Sequence, residues 1–315
     1  MRLPDFLIIG AMKCGSTTLF KDLCAHPRVF MPENKEPHNL CDDRVLTEAG
    51  RAEYAALFAP ARDDQVCGEA STGYTKLPSR PGVVERARKV LKDDMRLIYI
   101  VREPVARIVS HHYHVYSNGR VGPDINALVR TDPRFLDYSR YAMQVEPWIE
   151  AYGPERVRVV RFESYIKERR RYAAELHEFL GVEPRPDLID EGRAHNKGEG
   201  KPVPRRLSGF LRSSTYKKVI RGAIPAGVRQ WVISNALPRA PERPPAPSGE
   251  TVELILRELG ADCERLRVIM GLDVPVWDAH ASRARWAGSD AEAGMTAEDE
   301  ETEETERQEA RSAEE

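Results

Sequence analysis

A glycine-bearing turn near the start of the chain has the residue types that bind an anion. An apolar run at residues 6–9 passes through Gly10 into the turn, and a helical pattern begins at about Thr17. Where a strand leads directly into a helix, backbone N–H groups and the positive end of the helix dipole converge on one point. The residues around this point are Lys13, Cys14, Gly15, Ser16, Thr17 and Thr18. We expect the turn to bind a phosphate or sulfate group.

The turn departs from a nucleotide-triphosphate loop at a position that contacts the transferred phosphate. Gly10 and Gly15 keep the glycine spacing of the pattern GxxxxGK[ST], but Ser16 occupies the position of the lysine. In ATPases and GTPases, that lysine contacts the β- and γ-phosphates. The nearest lysine here is Lys13, inside the turn. The pattern therefore favours an anion site and argues against an ATPase or GTPase.

A second candidate anion site follows a later apolar run. Arg102 comes directly after the predicted strand at residues 97–101, and Ser110 lies about two helical turns further along. Parallel strands bring their carboxyl ends to one edge of a sheet, where ligands bind. The planar guanidinium of Arg102 and the hydroxyl of Ser110 suit a second phosphate. Spacing alone leaves open that Arg102 pairs with a structural carboxylate and that Ser110 lies on a helix surface.

A sheet must position these two sites. Three apolar runs are predicted as buried strands, at residues 6–9, 97–101 and 157–160. Helical patterns follow them at residues 17–25, 105–116 and 169–180. Strands that alternate with helices indicate a parallel sheet covered on both faces. We therefore predict an α/β fold, a P-loop NTPase-like parallel β-sheet flanked by helices on both faces, in a single domain.

Charge is distributed unevenly along the 315 residues. The whole chain has 48 basic and 50 acidic residues, a net charge of −2. From residue 290 onwards there are 12 acidic and 2 basic residues, which leaves 46 basic and 38 acidic residues before it. A basic core suits an anionic ligand, and an acidic tail without aromatic residues is expected to be disordered. We predict a domain at residues 1–285, with a variable acceptor-side excursion at 195–249, and a disordered acidic tail at 286–315.

Cysteine and histidine spacing shows neither a metal pattern nor a disulfide pattern. The five cysteines are odd in number and contain no CxxC pair, which favours reduced thiols in a cytoplasmic compartment. His111, His112 and His114 have no acidic or cysteine partner at ligand spacing, so no metal is expected. We also expect no signal peptide, no membrane-spanning run and no nucleic-acid partner.

Taken together, the motifs resemble a known family. Residues 13–19, residues 100–104 and Ser110 resemble the sulfotransferases that use 3′-phosphoadenosine 5′-phosphosulfate (PAPS), within them the branch with heparan-sulfate and many bacterial enzymes. The likeness covers about residues 4–280 and includes residues 162–165, 179–182 and 266–277. It implies an enzyme that transfers a sulfonate from PAPS to a saccharide or small molecule and releases 3′-phosphoadenosine 5′-phosphate (PAP). The acceptor group would be a hydroxyl, with an amine as the less favoured choice.

The resemblance also implies how the donor is held. Lys13 and residues 15–18 would bind the 5′-phosphosulfate, with Cys14 between them in the nucleotide-binding turn. Arg102 and Ser110 would bind the 3′-phosphate, which ATP lacks. Because Lys13 can neutralise negative charge on the oxygen that leaves sulfur, no metal is required for the transfer.

A later basic motif resembles the loop that closes over the nucleotide in this family. Lys197 and Gly198 match the residues that meet the 3′-phosphate there. Three neighbouring basic residues could serve in place of Lys197, namely Lys201, Arg205 and Arg206.

The reaction also needs a base that takes the acceptor's proton as the acceptor oxygen attacks sulfur. Glu36 matches the catalytic glutamate of the glycan branch, and His38 matches the histidine that follows it. We expect Glu36 to be the base, with His38 as a substrate contact or the alternative base. A solvated charged loop is the other interpretation of this segment.

One departure from the glycan enzymes lies in the segment between Cys67 and Tyr74. Those enzymes carry a lysine that helps at the sulfonate where this chain has Ala70. A second lysine at the transfer site, and a heparan-like acceptor, are therefore in doubt. We expect Glu69 and Ser71 still to line the cleft.

Two other functions remain open on the sequence alone. A small-molecule or nucleoside kinase would use the same turn but would need ATP and Mg²⁺. A non-catalytic anion- or glycan-binding module would use the basic core, and its binding would follow charge and salt alone. No motif in the sequence indicates which acceptor is used or which oligomeric state the protein adopts.

Overall fold

The structure is a computed structural model that describes residues 1–191 and 243–287. Its described strands are β1 Phe6–Gly10, β2 Val29–Phe30, β3 Val66–Ala70, β4 Arg96–Val101 and β5 Val157–Arg161. They form one sheet in the order β2-β3-β1-β4-β5, and every neighbouring pair is parallel. The parallel sheet predicted from the sequence is confirmed.

The described α-helices surround this sheet. They are α1 Ser16–Cys24, α2 Glu48–Ala56, α3 Val83–Val90, α4 Pro104–Ser117, α5 Ile125–Thr131, α6 Arg134–Asp137, α7 Tyr141–Tyr152, α8 Phe162–Lys167, α9 Arg169–Leu180, α10 Gly249–Ile269 and α11 Ala279–Ala287. All residues of β1 are buried, as are those of β4 from Leu97 onwards. Both faces of the central strands are therefore covered, which explains their continuous apolar sequences.

The sequence around Pro104 explains where α4 begins. Pro104 occupies the first turn of the helix, where its missing N–H needs no partner. The carboxylate of Glu103 accepts hydrogen bonds from the N–H groups of Val105 at 3.0 Å and Ala106 at 2.6 Å. This cap fixes the direction of the helix directly after Arg102, at the carboxyl end of β4.

Apart from the core around the sheet, a separate cluster of apolar side chains packs against α4. Its buried members come from α4, α5 and α10, with Phe135 from α6: Val105, Ile108, Ile125, Val129, Phe135, Val252, Ile255 and Leu259. Burial of these side chains stabilises the packing of the C-terminal helix α10 against the helix that carries Ser110.

The sequence pattern does not predict β3, the strand between β2 and β1. Its apolar run is interrupted by Gly68 and Glu69, yet the strand is buried from Cys67 to Ala70. The hydroxyls of Tyr54 and Tyr74 donate hydrogen bonds to the Glu69 carboxylate. A carboxyl group that tertiary hydrogen bonds make compatible with burial leaves no hydrophobic signal in the sequence.

The domain boundaries stay predictions. The excursion at residues 195–249 is described only from residue 243 onwards, and the tail at 286–315 only as far as residue 287. Lys197 and Gly198 lie outside the described residues. Within residues 1–191 and 243–287, no helix combines the length and the apolar character needed to cross a bilayer.

Candidate active site

The turn after β1 lies against the carboxyl end of β4. The N–H of Ala11 donates to the carbonyl of Ile100 at 2.7 Å, which ties the start of the turn to β4. The N–H groups of Thr18 and Leu19 donate to the Gly15 carbonyl at 3.0 and 3.2 Å and close the first turn of α1. The turn is therefore fixed at the edge of the sheet where ligands bind in folds of this kind.

Gly15 cannot be replaced without a change in this turn. Its φ of 87° is left-handed, a conformation that favours glycine. A first side-chain carbon at this position would lie 2.5 Å from a ring carbon of Phe162, the first residue of α8. Glycine thus lets the N-terminus of α1 approach the Phe162 ring closely.

The N-terminus of α1 has the properties of an anion site. Among the described residues, no side chain caps it, and its first turn contains no acidic residue. The uncapped N–H groups and the helix dipole attract a negative charge at this point. The geometry fits the phosphate or sulfate site that the sequence predicts at residues 13–18.

The side chain of Cys14 points away from this site. It is fully buried, and its Sγ lies 3.5 Å from the hydroxyl oxygen of Tyr141. Burial raises the pKa of the Cys14 thiol to about 11, so the thiol is protonated at neutral pH. Any part of Cys14 in ligand binding would therefore come from its backbone, and its position does not favour a nucleophile.

Arg102, directly after β4, contacts the same aromatic ring as the turn. Its guanidinium carbon lies 4.9 Å from the ring centroid of Phe162. The hydroxyl of Tyr141 donates to the Arg102 carbonyl at 2.7 Å and holds the backbone. In the part of the chain that the structure describes, no carboxylate forms an ion pair with Arg102. The alternative of a structural ion pair at Arg102 therefore gains no support.

Ser110 lies on α4, about two turns after Pro104, and is half-buried. Arg102 lies two residues before the first residue of this helix, so the two predicted 3′-phosphate residues are carried by α4 and by the short segment that leads into it. Since Lys197 and Gly198 lie outside the described residues, the third part of that predicted site has no described position.

Lys13, Glu36 and His38 share an unusual backbone conformation. Their φ angles are 69°, 65° and 59°, and they are the non-glycine residues with positive φ in the described ranges. Such a conformation costs about 1–3 kcal/mol per residue and is concentrated at functional sites. In the described ranges, the non-glycine residues with left-handed backbone are the same three that the sequence predicts as catalytic.

Glu36 is held at the carboxyl end of β3. Its N–H donates to the Ala70 carbonyl at 2.9 Å, and the hydroxyl of Thr72 donates to its Oε1 at 3.1 Å. Lys35 Nζ lies 2.9 Å from Oε1, and His38 Nε2 lies 3.3 Å from Oε2. The carboxylate is half-buried with three polar partners, so the segment is an ordered site rather than a solvated loop.

These partners determine the protonation of Glu36 and His38. Partial burial by itself would raise the pKa of Glu36, but the hydrogen bond to His38 and the charge of Lys35 outweigh it and lower that pKa well below its ordinary range. Interactions with Cys41 and Glu36 raise the pKa of His38 to about 9. At neutral pH the pair is therefore a carboxylate and an imidazolium.

The expectation that Glu69 and Ser71 line the cleft is wrong. Glu69 is 1% exposed and Ser71 is fully buried. The Ser71 hydroxyl donates to Glu69 Oε2 at 2.8 Å and accepts from the N–H of His38 at 3.2 Å. Burial raises the pKa of Glu69, although hydrogen bonds from Tyr74, Ser71 and Tyr54 oppose this effect. The two residues support the Glu36 segment from inside the protein.

Sequence analysis did not assign a role at the site to two residues that contact its members. Phe162 contacts both Gly15 and Arg102, and Thr72 donates to Glu36. Phe162 belongs to a segment that the sequence associates with the family, but its contact with a turn near the N-terminus depends on the folded chain.

The three neighbouring histidines of α4 have separate environments. The ring of His111 is buried, 4.6 Å from that of Phe135 between centroids. His112 Nε2 lies 3.0 Å from the Gly122 carbonyl oxygen, and His114 is exposed. Within the described ranges, no group of three or more His, Cys, Asp or Glu residues could hold a metal ion.

The sheet order, the turn after the first strand and the uncapped helix N-terminus define a P-loop-like α/β protein. The chain belongs to the sulfotransferase domain family, whose model matches residues 3–197. This match confirms the family that the sequence motifs resemble.

The curated relatives are sulfotransferases. Heparan sulfate glucosamine 3-O-sulfotransferase 3B1 of Homo sapiens is 26% identical in an alignment 220 residues long that covers 67% of this chain and 54% of that protein. Carbohydrate sulfotransferase 15 of Homo sapiens is 23% identical in an alignment 248 residues long that covers 58% of this chain and 44% of that protein. The chain thus spans about half the length of the curated relatives it matches.

A solved structure supports the fold. A sulfotransferase from Alicyclobacillus acidocaldarius superposes with a TM-score of 0.61 at 20% sequence identity, over 90% of this chain and 100% of that one. At this identity the likeness concerns the architecture alone.

Proposed function

We propose that this chain is a PAPS-dependent sulfotransferase that moves a sulfonate to a hydroxyl, or alternatively an amine, of a saccharide or small molecule. One observation carries the proposal. In the described ranges, left-handed backbone at non-glycine residues is confined to Lys13, Glu36 and His38, the candidate catalytic residues. Because the chain belongs to the sulfotransferase family, we interpret these three residues as the groups that act in sulfonate transfer.

The donor fits two anion sites that share the Phe162 ring. The N–H groups at the start of α1 and Lys13 bind the 5′-phosphosulfate, and Arg102 with Ser110 binds the 3′-phosphate. Three features support this assignment: the uncapped start of α1, the close approach at Gly15 and the absence of a carboxylate on Arg102 among the described residues. A ligand with a phosphate at both ends of a nucleoside meets both sites at once.

Glu36 acts as the general base. The acceptor's proton passes to its carboxylate while the acceptor oxygen forms a bond to sulfur and the bond between sulfur and the phosphate oxygen breaks. Lys13 and the N–H groups of the turn stabilise the charge that develops on that leaving oxygen. This sequence of bonds needs neither a covalent enzyme intermediate nor a metal ion.

The free site holds Glu36 as a poor base, because its partners stabilise the carboxylate. An acceptor hydroxyl that replaces His38 or Lys35 at one carboxylate oxygen removes part of this stabilisation. The pKa of Glu36 then rises towards its ordinary value, and the carboxylate gains basicity only when an acceptor is present. This order of events protects the activated donor from loss of its sulfonate to water.

A saccharide or small-molecule acceptor is consistent with the printed names of the relatives, which refer to heparan sulfate and carbohydrate. The alanine at residue 70 distinguishes this chain from the glycan branch and leaves room for a different acceptor. A cytoplasmic location, inferred from the cysteine pattern, stays a prediction.

Calorimetry with nucleotides tests the proposal without knowledge of the acceptor. PAP in metal-free buffer should bind at one saturable site, at least about tenfold more tightly than ATP with Mg²⁺. A preference for ATP with Mg²⁺ would indicate a kinase. If the binding heat of every nucleotide fails to saturate and simply decreases as the salt concentration rises, the chain would be a non-catalytic anion-binding module.

A further inference from the structure

The segment at residues 75–80 is braced against the start of the nucleotide-binding turn. The Thr75 hydroxyl donates to the Ile9 carbonyl at 2.9 Å, and a side-chain carbon at Gly10 would lie 2.0 Å from that hydroxyl oxygen. The buried amide of Gln144 binds both the N–H and the carbonyl of Leu77, each at 2.8 Å. Lys76 lies between these two anchored residues, so its backbone position is fixed.

The side chain of Lys76 is half-buried and close to an aromatic surface. Its Nζ lies 5.6 Å from the ring centroid of Tyr138. In the described part of the chain, no carboxylate lies within ion-pair distance of this ammonium group. A half-buried cation without a carboxylate partner is costly unless an anion is present for part of the working cycle.

The chain just before this segment contacts the candidate base. Thr72, four residues before Lys76, donates a hydrogen bond from its hydroxyl to Glu36 Oε1 at 3.1 Å. Lys76 is therefore close in the chain both to Thr75, which contacts the start of the donor-binding turn, and to Thr72, which contacts the candidate base.

We propose that the Lys76 ammonium binds the peripheral oxygens of the transferred sulfonate. This inference rests on the proposed sulfotransferase function. Lys76 forms no covalent bond and gives up no proton. Its charge balances the oxygens that remain on sulfur while Lys13 balances the oxygen that departs. The two lysines thus act on different ends of the bond that breaks.

The electrostatic surroundings of Lys76 support this role. Loss of hydration and the neighbouring charge of Arg80 lower the pKa of Lys76. An anion beside the ammonium group relieves both effects, so an ion pair formed there is stronger than one in open solvent.

PAP and PAPS provide a direct test, since PAP lacks the sulfonate. The wild-type protein should bind PAPS more tightly than PAP. In Lys76→Met, which keeps the apolar stem over Tyr138, PAPS affinity should fall about tenfold or more, while PAP affinity is unchanged. Lys76→Arg should retain most of the preference for PAPS. Lys89→Met, on the exposed face of α3, is the matched control and should change neither affinity.

The possible outcomes separate this inference from the proposed function. If the wild-type protein binds neither nucleotide, the proposed function is wrong. If PAP and PAPS affinities are both unchanged in Lys76→Met, or both fall equally, the sulfonate contact is refuted. Unchanged PAPS affinity with a raised KM for an anionic acceptor would assign Lys76 to acceptor binding instead.

Discussion

The guanidinium carbon of Arg102 lies 4.9 Å from the ring centroid of Phe162, and the same ring fills the space beside Gly15. One aromatic side chain therefore sets the position of both candidate anion sites. Because Phe162 directly follows β5 and Arg102 directly follows β4, neighbouring strands determine the separation of the two sites.

Gly15→Ala should weaken nucleotide binding and destabilise the protein. The new methyl group would meet the Phe162 ring in a left-handed conformation, so we expect a loss of about 1–3 kcal/mol in the free energy of unfolding. Urea unfolding and calorimetry with PAP measure the two effects. Gly260→Ala, in α10 with open space around it, is the control and should gain about 0.5–1 kcal/mol. Equal behaviour of the two variants would contradict the close approach.

Glu36→Gln should abolish transfer and leave nucleotide affinity intact. The amide cannot take the acceptor's proton, and we expect the rate of transfer from labelled PAPS to fall about 10²–10⁴-fold. An extract screened with labelled PAPS supplies the acceptor for this assay. Glu33→Gln, a neighbouring exposed position, is the matched control and should keep the wild-type rate. Full turnover by Glu36→Gln would remove this residue from the mechanism.

The pairing of His38 with Glu36 should make stability depend on pH. Because folding raises the pKa of His38 from 6.5 to about 9, the pair's contribution is complete below about pH 6.5 and is lost as pH rises through 9. The difference in unfolding free energy between wild type and His38→Asn should therefore shrink from pH 6 to pH 9.5. Asparagine tolerates the left-handed backbone at this position. A difference that stays constant over this range would mean that His38 is not charged by its pairing.

Much of the fold could be predicted because its signals are local. The apolar runs of β1 and β4 are buried on both faces, and α9 runs from Arg169 to Leu180 as its pattern indicates. Pro104 and Gly181 mark helix ends through their own backbone preferences. These features depend on neighbours in sequence, so a single chain is sufficient to recognise them.

The parts of the site that sequence analysis missed depend on contacts between distant segments. Glu69 is compatible with the core because the hydroxyls of Tyr54 and Tyr74 donate hydrogen bonds to its carboxylate. No local sequence pattern predicts these hydrogen bonds. The role proposed for Lys76 depends on tertiary contacts, since Ile9 and Gln144 hold its two neighbours in the chain and its ammonium group lies near the Tyr138 ring. Such tertiary contacts override the usual expectation that charged residues line a surface.

The 3′-phosphate assignment of Arg102 is the central claim, and a comparison of PAP with adenosine 5′-phosphate tests it most directly. Calorimetry of Arg102→Ala should show PAP affinity reduced by about 1.5–3 kcal/mol, while adenosine 5′-phosphate, which has no 3′-phosphate, binds as before. Arg257→Ala, an exposed position on α10, should change neither. Unchanged PAP affinity in Arg102→Ala, or an equal loss for both nucleotides, would contradict the account.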